Sequence, residues 1–305
     1  MKPPTHVYHR NLIFVLGKGG VGKTTLSQAL ALALSKNKKV LWICFEDPTR
    51  TAGELSPAKN GNSRLWELNV DPTEAFEEYA ELKIKQLSGS FLSSFGLVRT
   101  FLDNKLIRYL AKAAPGIREL VLLGKVWHER THYDHVVVDM PSTGYGVAMF
   151  QSAANFLKLF GSGPLAKDAS RMLETFKDPV LSGYWIAALP EEMPLREARE
   201  LDGLLGEMFP NNPSEFVVNR VFPKHSELAK KSAEKLGPPD QWETPFALNI
   251  ADYAARRSAL ETHNLKMWSD LKYSEIRFIS PREAPSDSAL VQKLADQIQA
   301  DGMLP

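Results

Sequence analysis

Gly17-Lys18-Gly19-Gly20-Val21-Gly22-Lys23-Thr24 is the stretch that decides the fold of this 305-residue chain. It fits G-x-x-x-x-G-K-[ST], and the chemistry of phosphate explains the spacing. Glycines let the backbone curl so that its N–H groups point at phosphate oxygens. A helix opening directly after the loop adds the positive end of its dipole. In such a loop Lys23 reaches the β- and γ-phosphates and the Thr24 hydroxyl ligates Mg²⁺. The flanks agree: Asn11 to Leu16 is a continuous apolar run, Thr24 to Lys36 has helical periodicity, and Lys39 to Phe45 is a second apolar run. Strand, glycine turn, helix and strand make a complete βαβ unit with strands buried on both faces.

Gly17, Gly19 and Gly22 also satisfy G-x-G-x-x-G, the dinucleotide fingerprint, and Glu46 ends the next strand near the offset of a ribose-binding acid. Lys23-Thr24 separates the two readings. A nicotinamide fold needs no lysine and hydroxyl at the head of its helix, whereas magnesium–triphosphate chemistry needs both.

His135 to Asp139, Trp185 to Leu189, Glu215 to Asn219 and Glu275 to Ile279 are further strand candidates, separated by helical stretches such as Leu195 to Met208. Alternation of this kind predicts a doubly wound α/β fold with a mostly parallel sheet. Two regions, about 73–130 and 147–180, are helical in pattern and rich in Phe, Leu and Met. They read as helical insertions beside the sheet. Without linkers, repeats or low-complexity tracts, residues 1–305 are expected to form one domain with a helical subdomain.

Strand C-termini face the ligand crevice of an open parallel sheet. That places Asp47, in Glu46-Asp47-Pro48, near the γ-phosphate, and Asp139, ending Val136-Val-Val-Asp139, near the metal, which it would hold through water. The bland reading of Asp47 is a helix cap.

Lys18 carries a family resemblance. The block Lys18-Gly-Gly-Val-Gly-Lys-Thr24 resembles the deviant Walker A ATPases, among them the arsenite-pump, tail-anchored-protein targeting, cell-division and partition ATPases and nitrogenase iron protein. The resemblance implies a lysine at 18 that crosses a dimer interface to the other subunit's nucleotide. It implies nucleotide contacts along Gly17, Lys18, Gly19, Gly20, Val21, Gly22, Lys23, Thr24 and Thr25. Asp47-Pro48 resembles switch I of the arsenite-pump and targeting branch, where the aspartate positions water, although Thr49 and Arg50 replace the usual Ala and His. Asp139-Met-Pro-Ser-Thr-Gly144-Tyr145 is similar to switch II, with its proline one place early and Tyr145 in place of histidine. Val217-Val-Asn219 resembles the strand end whose asparagine reads adenine, and the loop at Pro281 resembles the segment that packs on the base. An Asn carboxamide offers the donor and acceptor that match the adenine edge. The resemblance covers about residues 10–300.

The resemblance implies ATP hydrolysis with Mg²⁺, catalysed through Lys18, Lys23 and Asp47, in a homodimer or a heterodimer with a related subunit. A hydrophobic or membrane-protein client is the expected cargo. Phe91, Phe95, Leu97, Phe101, Leu106 and Leu110, and in the second insertion Met149, Phe150, Phe156, Leu157, Leu159 and Phe160, could line its groove. The alternative for these residues is closure of a core, the usual fate of helical apolar stripes. The alternative function is a nucleotide-state switch that recruits a positioning or partition partner.

Composition narrows the branches. The single cysteine, Cys44, reads as a buried small hydrophobe and cannot supply a CxxC zinc site, an arsenite-sensing cluster or an iron–sulfur cluster. A net charge of +1 gives no global attraction to nucleic acid. No apolar run reaches the ~20 residues that span a bilayer. The helix Ser288 to Ala300 holds one lysine and two aspartates, unlike a basic membrane-binding tail. The expected compartment is the cytoplasm.

Overall fold

The structure, a computed structural model, describes residues 6–51, 55–58, 62–87, 116–159, 164–210, 214–222, 245–271, 273–277, 279 and 283–300. Among the described residues eight strands form one sheet: β1 Leu12–Gly17, β2 Val40–Phe45, β3 Ser56–Pro57, β4 Leu65–Val70, β5 His135–Asp139, β6 Ser182–Ala188, β7 Ser214–Val221 and β8 Tyr273–Arg277. Their order is β3-β4-β2-β5-β1-β6-β7-β8. All neighbours pair in parallel except β3 with β4, the antiparallel edge. This is the doubly wound, mostly parallel α/β fold that the alternation predicts.

Every residue of β1, β5 and β6 is buried, which is why apolar residues run unbroken through Leu12–Leu16, Val136–Val138 and Tyr184–Ala188 and do not alternate with polar ones. The pleat still sorts them. Leu12, Phe14 and Leu16 enter one core and Ile13 and Val15 the other. On the second side lie α1 (Lys23–Leu34) and α8 (Asp287–Ala300). On the first lie α3 (Ile117–Glu129), α4 (Thr143–Leu159), α5 (Pro164–Lys177) and α6 (Glu192–Met208), with α2 (Pro72–Leu87) against α3. The helix α7 (Pro245–Leu265) runs into a 3-10 turn that seats the fully buried Trp268 against Phe216.

An aromatic cluster fixes the first layer to the central strand. The Phe14 ring meets Phe150 and Phe176 edge-on, at centroid distances of 5.2 and 5.1 Å, and stacks on Tyr184 at 5.5 Å. Edge-to-face pairs of this kind add about 0.5–1.5 kcal/mol each beyond their buried area.

Packing decides between the two destinations of the second apolar stripe. Met149, Phe150 and Phe156 are core residues, 0%, 0% and 5% exposed, and Leu157 packs against the same cluster. They close the helical layer. Phe91, Phe95, Leu97, Phe101, Leu106 and Leu110 lie outside the described residues, as do Phe160, the side chain of Leu159 and Pro281. Among the described residues no helix is long and apolar enough to cross a membrane.

Candidate functional site

β1, β2, β5 and β7 bring their C-terminal ends to one edge, and there the sequence-selected residues converge. β1 lies between β5 and β6, so the loop that leaves Gly17 passes close to the end of β5. Gly17 has φ +145, and a Cβ on it would sit 2.3 Å from the Ala187 carbonyl oxygen, so no other residue fits. Gly22 closes the loop in the left-handed region, at φ +92, and a Cβ there would meet the Asn219 amide nitrogen at 2.5 Å. Gly22 is also the N-cap of α1 and supplies no side-chain cap. The first N–H groups of α1 therefore keep their hydrogen-bonding capacity for an anion.

Within this loop the Lys23 ammonium donates to the Lys18 carbonyl at 2.9 Å. Burial lowers its pKa, and the neighbouring Asp139 carboxylate works against that shift. Lys18, whose side chain is 45% exposed, donates at 2.8 Å to Glu197 of α6. The other oxygen of that carboxylate, Oε2, is buried with no hydrogen-bond partner among the described residues.

The Thr24 hydroxyl donates to Asp139 Oδ2 at 2.6 Å. Asp139 is 9% exposed, and burial pushes its pKa up to about 6 against the opposing Thr24 hydrogen bond and Lys23 charge. Its second oxygen, Oδ1, is buried and has no hydrogen-bond partner among the described residues. A hydroxyl, an orphaned carboxylate oxygen and an anion-ready loop form a donor set that fits a hard, oxygen-seeking cation carrying phosphate. Thr25, on the first turn of α1, is half-buried.

Asp47 follows β2, and its carboxylate is engaged locally. Oδ1 accepts from the Thr49 N–H at 2.9 Å and the Thr49 hydroxyl at 2.6 Å, and Oδ2 accepts from Arg50 Nε at 3.2 Å. The Thr49 hydrogen bond is the main reason that its pKa is held below the usual carboxylate value, with Arg50 adding to it. Glu46, the acid of the dinucleotide reading, has φ +51 and is ion-paired with Arg118 of α3.

Asn219 is 5% exposed, and the structure turns its carboxamide toward the phosphate loop. Nδ2 donates to the Val21 carbonyl at 2.8 Å, and Oδ1 accepts from the Arg220 N–H at 2.9 Å. β7 is irregular between Val218 and Val221, and Arg220 has φ +59. The kink aims Asn219 under the loop. Tyr145, in the switch II-like segment, donates to Glu119 at 3.2 Å.

Three residues join the site without any motif to announce them. Glu197 sits on a charged helix face. Glu67 and Asn69 sit on β4, and the Asn69 side chain holds the turn after β2: its Oδ1 accepts from Asp47 N–H at 2.9 Å, and its Nδ2 donates to the Asp47 and Arg50 carbonyls at 2.9 and 3.2 Å.

A parallel sheet with a glycine loop and a Thr–Asp pair at its C-terminal edge defines a P-loop nucleotide-binding protein. The family is more particular: residues 10–162 match the anion-transporting ATPase family, and the chain belongs to it. It is similar to the putative arsenical pump-driving ATPase 2 of Aquifex aeolicus, 24% identical over 73% of this chain and 86% of that protein. ATPase get3 of Schizosaccharomyces japonicus is 28% identical over 53% of this chain and 52% of its own length, so only about half of either protein aligns. ATPase BagA of Mycobacterium tuberculosis is 26% identical over 73% of this chain and 69% of its own.

Proposed function

We propose that this chain hydrolyses ATP with Mg²⁺ and that its nucleotide state switches a dimer, a homodimer or a pair with a related subunit. The observation that carries the reading is the Thr24 hydroxyl at 2.6 Å from a buried Asp139 whose other oxygen has no hydrogen-bond partner among the described residues, under a glycine loop that demands glycine at both ends. Bound magnesium would neutralise charge on the phosphates. Thr24 and Asp139 would hold it, Asp139 through water. The backbone from Gly17 to Thr25 and the Lys23 ammonium receive the phosphates, and Asp47 orients the attacking water. Lys18 leaves Glu197 and crosses to the other subunit's nucleotide. Adenine recognition falls to the second hydrogen and lone pair of the Asn219 carboxamide, with the Pro281 loop on the base.

A hydrophobic or membrane-protein client completes the proposal. Its support is the family relationship and the apolar sequence from Phe91 to Leu110. The cavity between α2, α3 and α5, walled by Leu120, Val121 and Met172, holds about 280 Å³.

Asp47→Asn tests the chemistry: it should bind ATP with near-normal affinity and lose most phosphate release. Normal turnover would remove Asp47 from the mechanism. The same variant, held in its ATP state and compared with Lys23→Ala in an affinity pull-down, tests the client. Single-span membrane proteins enriched only on Asp47→Asn support client handling, and one soluble partner supports a recruitment switch instead.

A further inference from the structure

Arg50 stands where the chain departs from its family's switch I, and the structure builds it into a frame that ties switch I to the phosphate loop. Its guanidinium carbon lies 4.5 Å from the centre of the Trp42 ring. Nε donates to Asp47 Oδ2 at 3.2 Å, and Nη1 is ion-paired with Glu67 on β4. The platform is itself fixed. Trp42 is 1% exposed and donates from Nε1 to the Ser27 hydroxyl at 2.9 Å, and that hydroxyl donates to the Thr24 carbonyl at 2.9 Å.

A carboxylate has about four lone-pair sites. On Asp47 the Thr49 N–H and hydroxyl occupy both sites of Oδ1, and Arg50 occupies one of Oδ2. Among the described residues one acceptor site remains. The Asn69 bonds hold the backbone of the turn, so Arg50 and Thr49 are what set the side-chain direction. We propose that Arg50 is a positioning residue for ATP hydrolysis: stacked on Trp42 and tied to Glu67, it fixes the Asp47 carboxylate so that its one open acceptor site takes the attacking water.

The inference rests on the reading that Asp47 orients water. A planar guanidinium can lie flat on an indole and fork to two carboxylates, which an ammonium cannot do. Lysine at 50 should therefore fail to substitute.

The experiment compares wild type, Arg50→Ala, Arg50→Lys, Asp47→Asn and the Arg50→Ala/Asp47→Asn double variant as full-length chains. Each is assayed for steady-state ATP hydrolysis and for equilibrium binding of a non-hydrolysable ATP analogue. Arg50→Ala is expected to lose about 10- to 100-fold in kcat, the scale of a misplaced reacting group, with KM and analogue affinity within about twofold. Arg50→Lys should be as slow, and the double variant no slower than Asp47→Asn alone. Unchanged analogue binding establishes that the slow variants are folded. A kcat for Arg50→Ala within about twofold of wild type, a loss expressed in KM, full activity in Arg50→Lys, or multiplying losses in the double variant would each overturn the assignment. Normal turnover in Asp47→Asn is a different failure and removes the underlying role of Asp47.

Discussion

Lys18 and Glu197 form an ion pair within one chain, N to O 2.8 Å, between the phosphate loop and α6. A lysine that serves another subunit's nucleotide must first leave this carboxylate. Both side chains are partly exposed, at 45% and 29%, so the pair contributes at most ~1 kcal/mol. Glu197→Gln should therefore move ATP-dependent association to a lower protein concentration, by up to about fivefold for each pair broken and so up to about 25-fold in a homodimer. Lys18→Ala should abolish it. Sedimentation with and without ATP reads both, and an unchanged mass distribution for Lys18→Ala would end the crossing role.

The raised pKa of Asp139 makes stability depend on pH in the direction opposite to a salt-bridged carboxylate. Its folded value of about 6 lies above the ordinary 3.8, so the folded chain holds this proton more tightly than the unfolded chain. The stabilisation is full below the lower value and is lost as pH rises through the upper one. Between pH ~4 and ~6, the metal- and nucleotide-free protein should lose on the order of 3 kcal/mol from this group. Urea unfolding of wild type against Asp139→Asn across that range isolates it. A difference that stays flat with pH would show Asp139 already ionised.

Gly22→Ala should cost more than the left-handed backbone alone. The φ of +92 contributes about 1–2 kcal/mol for a residue with a Cβ, and that Cβ would also collide with the Asn219 amide at 2.5 Å. ATP affinity should fall by about tenfold or more. Asn219→Ala removes both the collision and the bond to Val21, so the double variant should lose less than the product of the single losses. Titration with ATP and with inorganic tripolyphosphate checks this. Equal losses for the two ligands locate the effect at the loop and not at the base.

Phe14→Ala takes one ring from the cluster with Phe150, Phe176 and Tyr184. It should destabilise the chain by about 3–5 kcal/mol in urea unfolding. A loss under ~1 kcal/mol would mean that the layer collapses onto the gap.

The central sheet is legible in the sequence because strands covered on both faces carry unbroken apolar runs, as in β1, β2 and Val136 to Val138 of β5. β6 begins at Ser182 and not Trp185, since Ser182 and Gly183 are small enough to be buried beside Val7 and Arg10. β4 is hidden because Glu67 and Asn69 interrupt its apolar pattern. Those polar residues are there to serve the turn after β2. The loop, Asp47 and Asp139 can be read from local motifs. Glu197 and Glu67 cannot, because their roles come from contacts 179 and 17 residues away along the chain. The Met149 and Phe150 stripe has two possible destinations, groove or core, and only packing against Phe14 decides between them.

Trp42 also makes this chain an optical instrument. Its indole nitrogen is tied to Ser27 on α1 while a guanidinium lies on its ring face. Any rearrangement of residues 47–50 strips a cation from a buried fluorophore and shifts its emission. A variant that keeps Trp42 and replaces the other five of its six tryptophans with phenylalanine would report movement of residues 47–50 in real time, with no label attached.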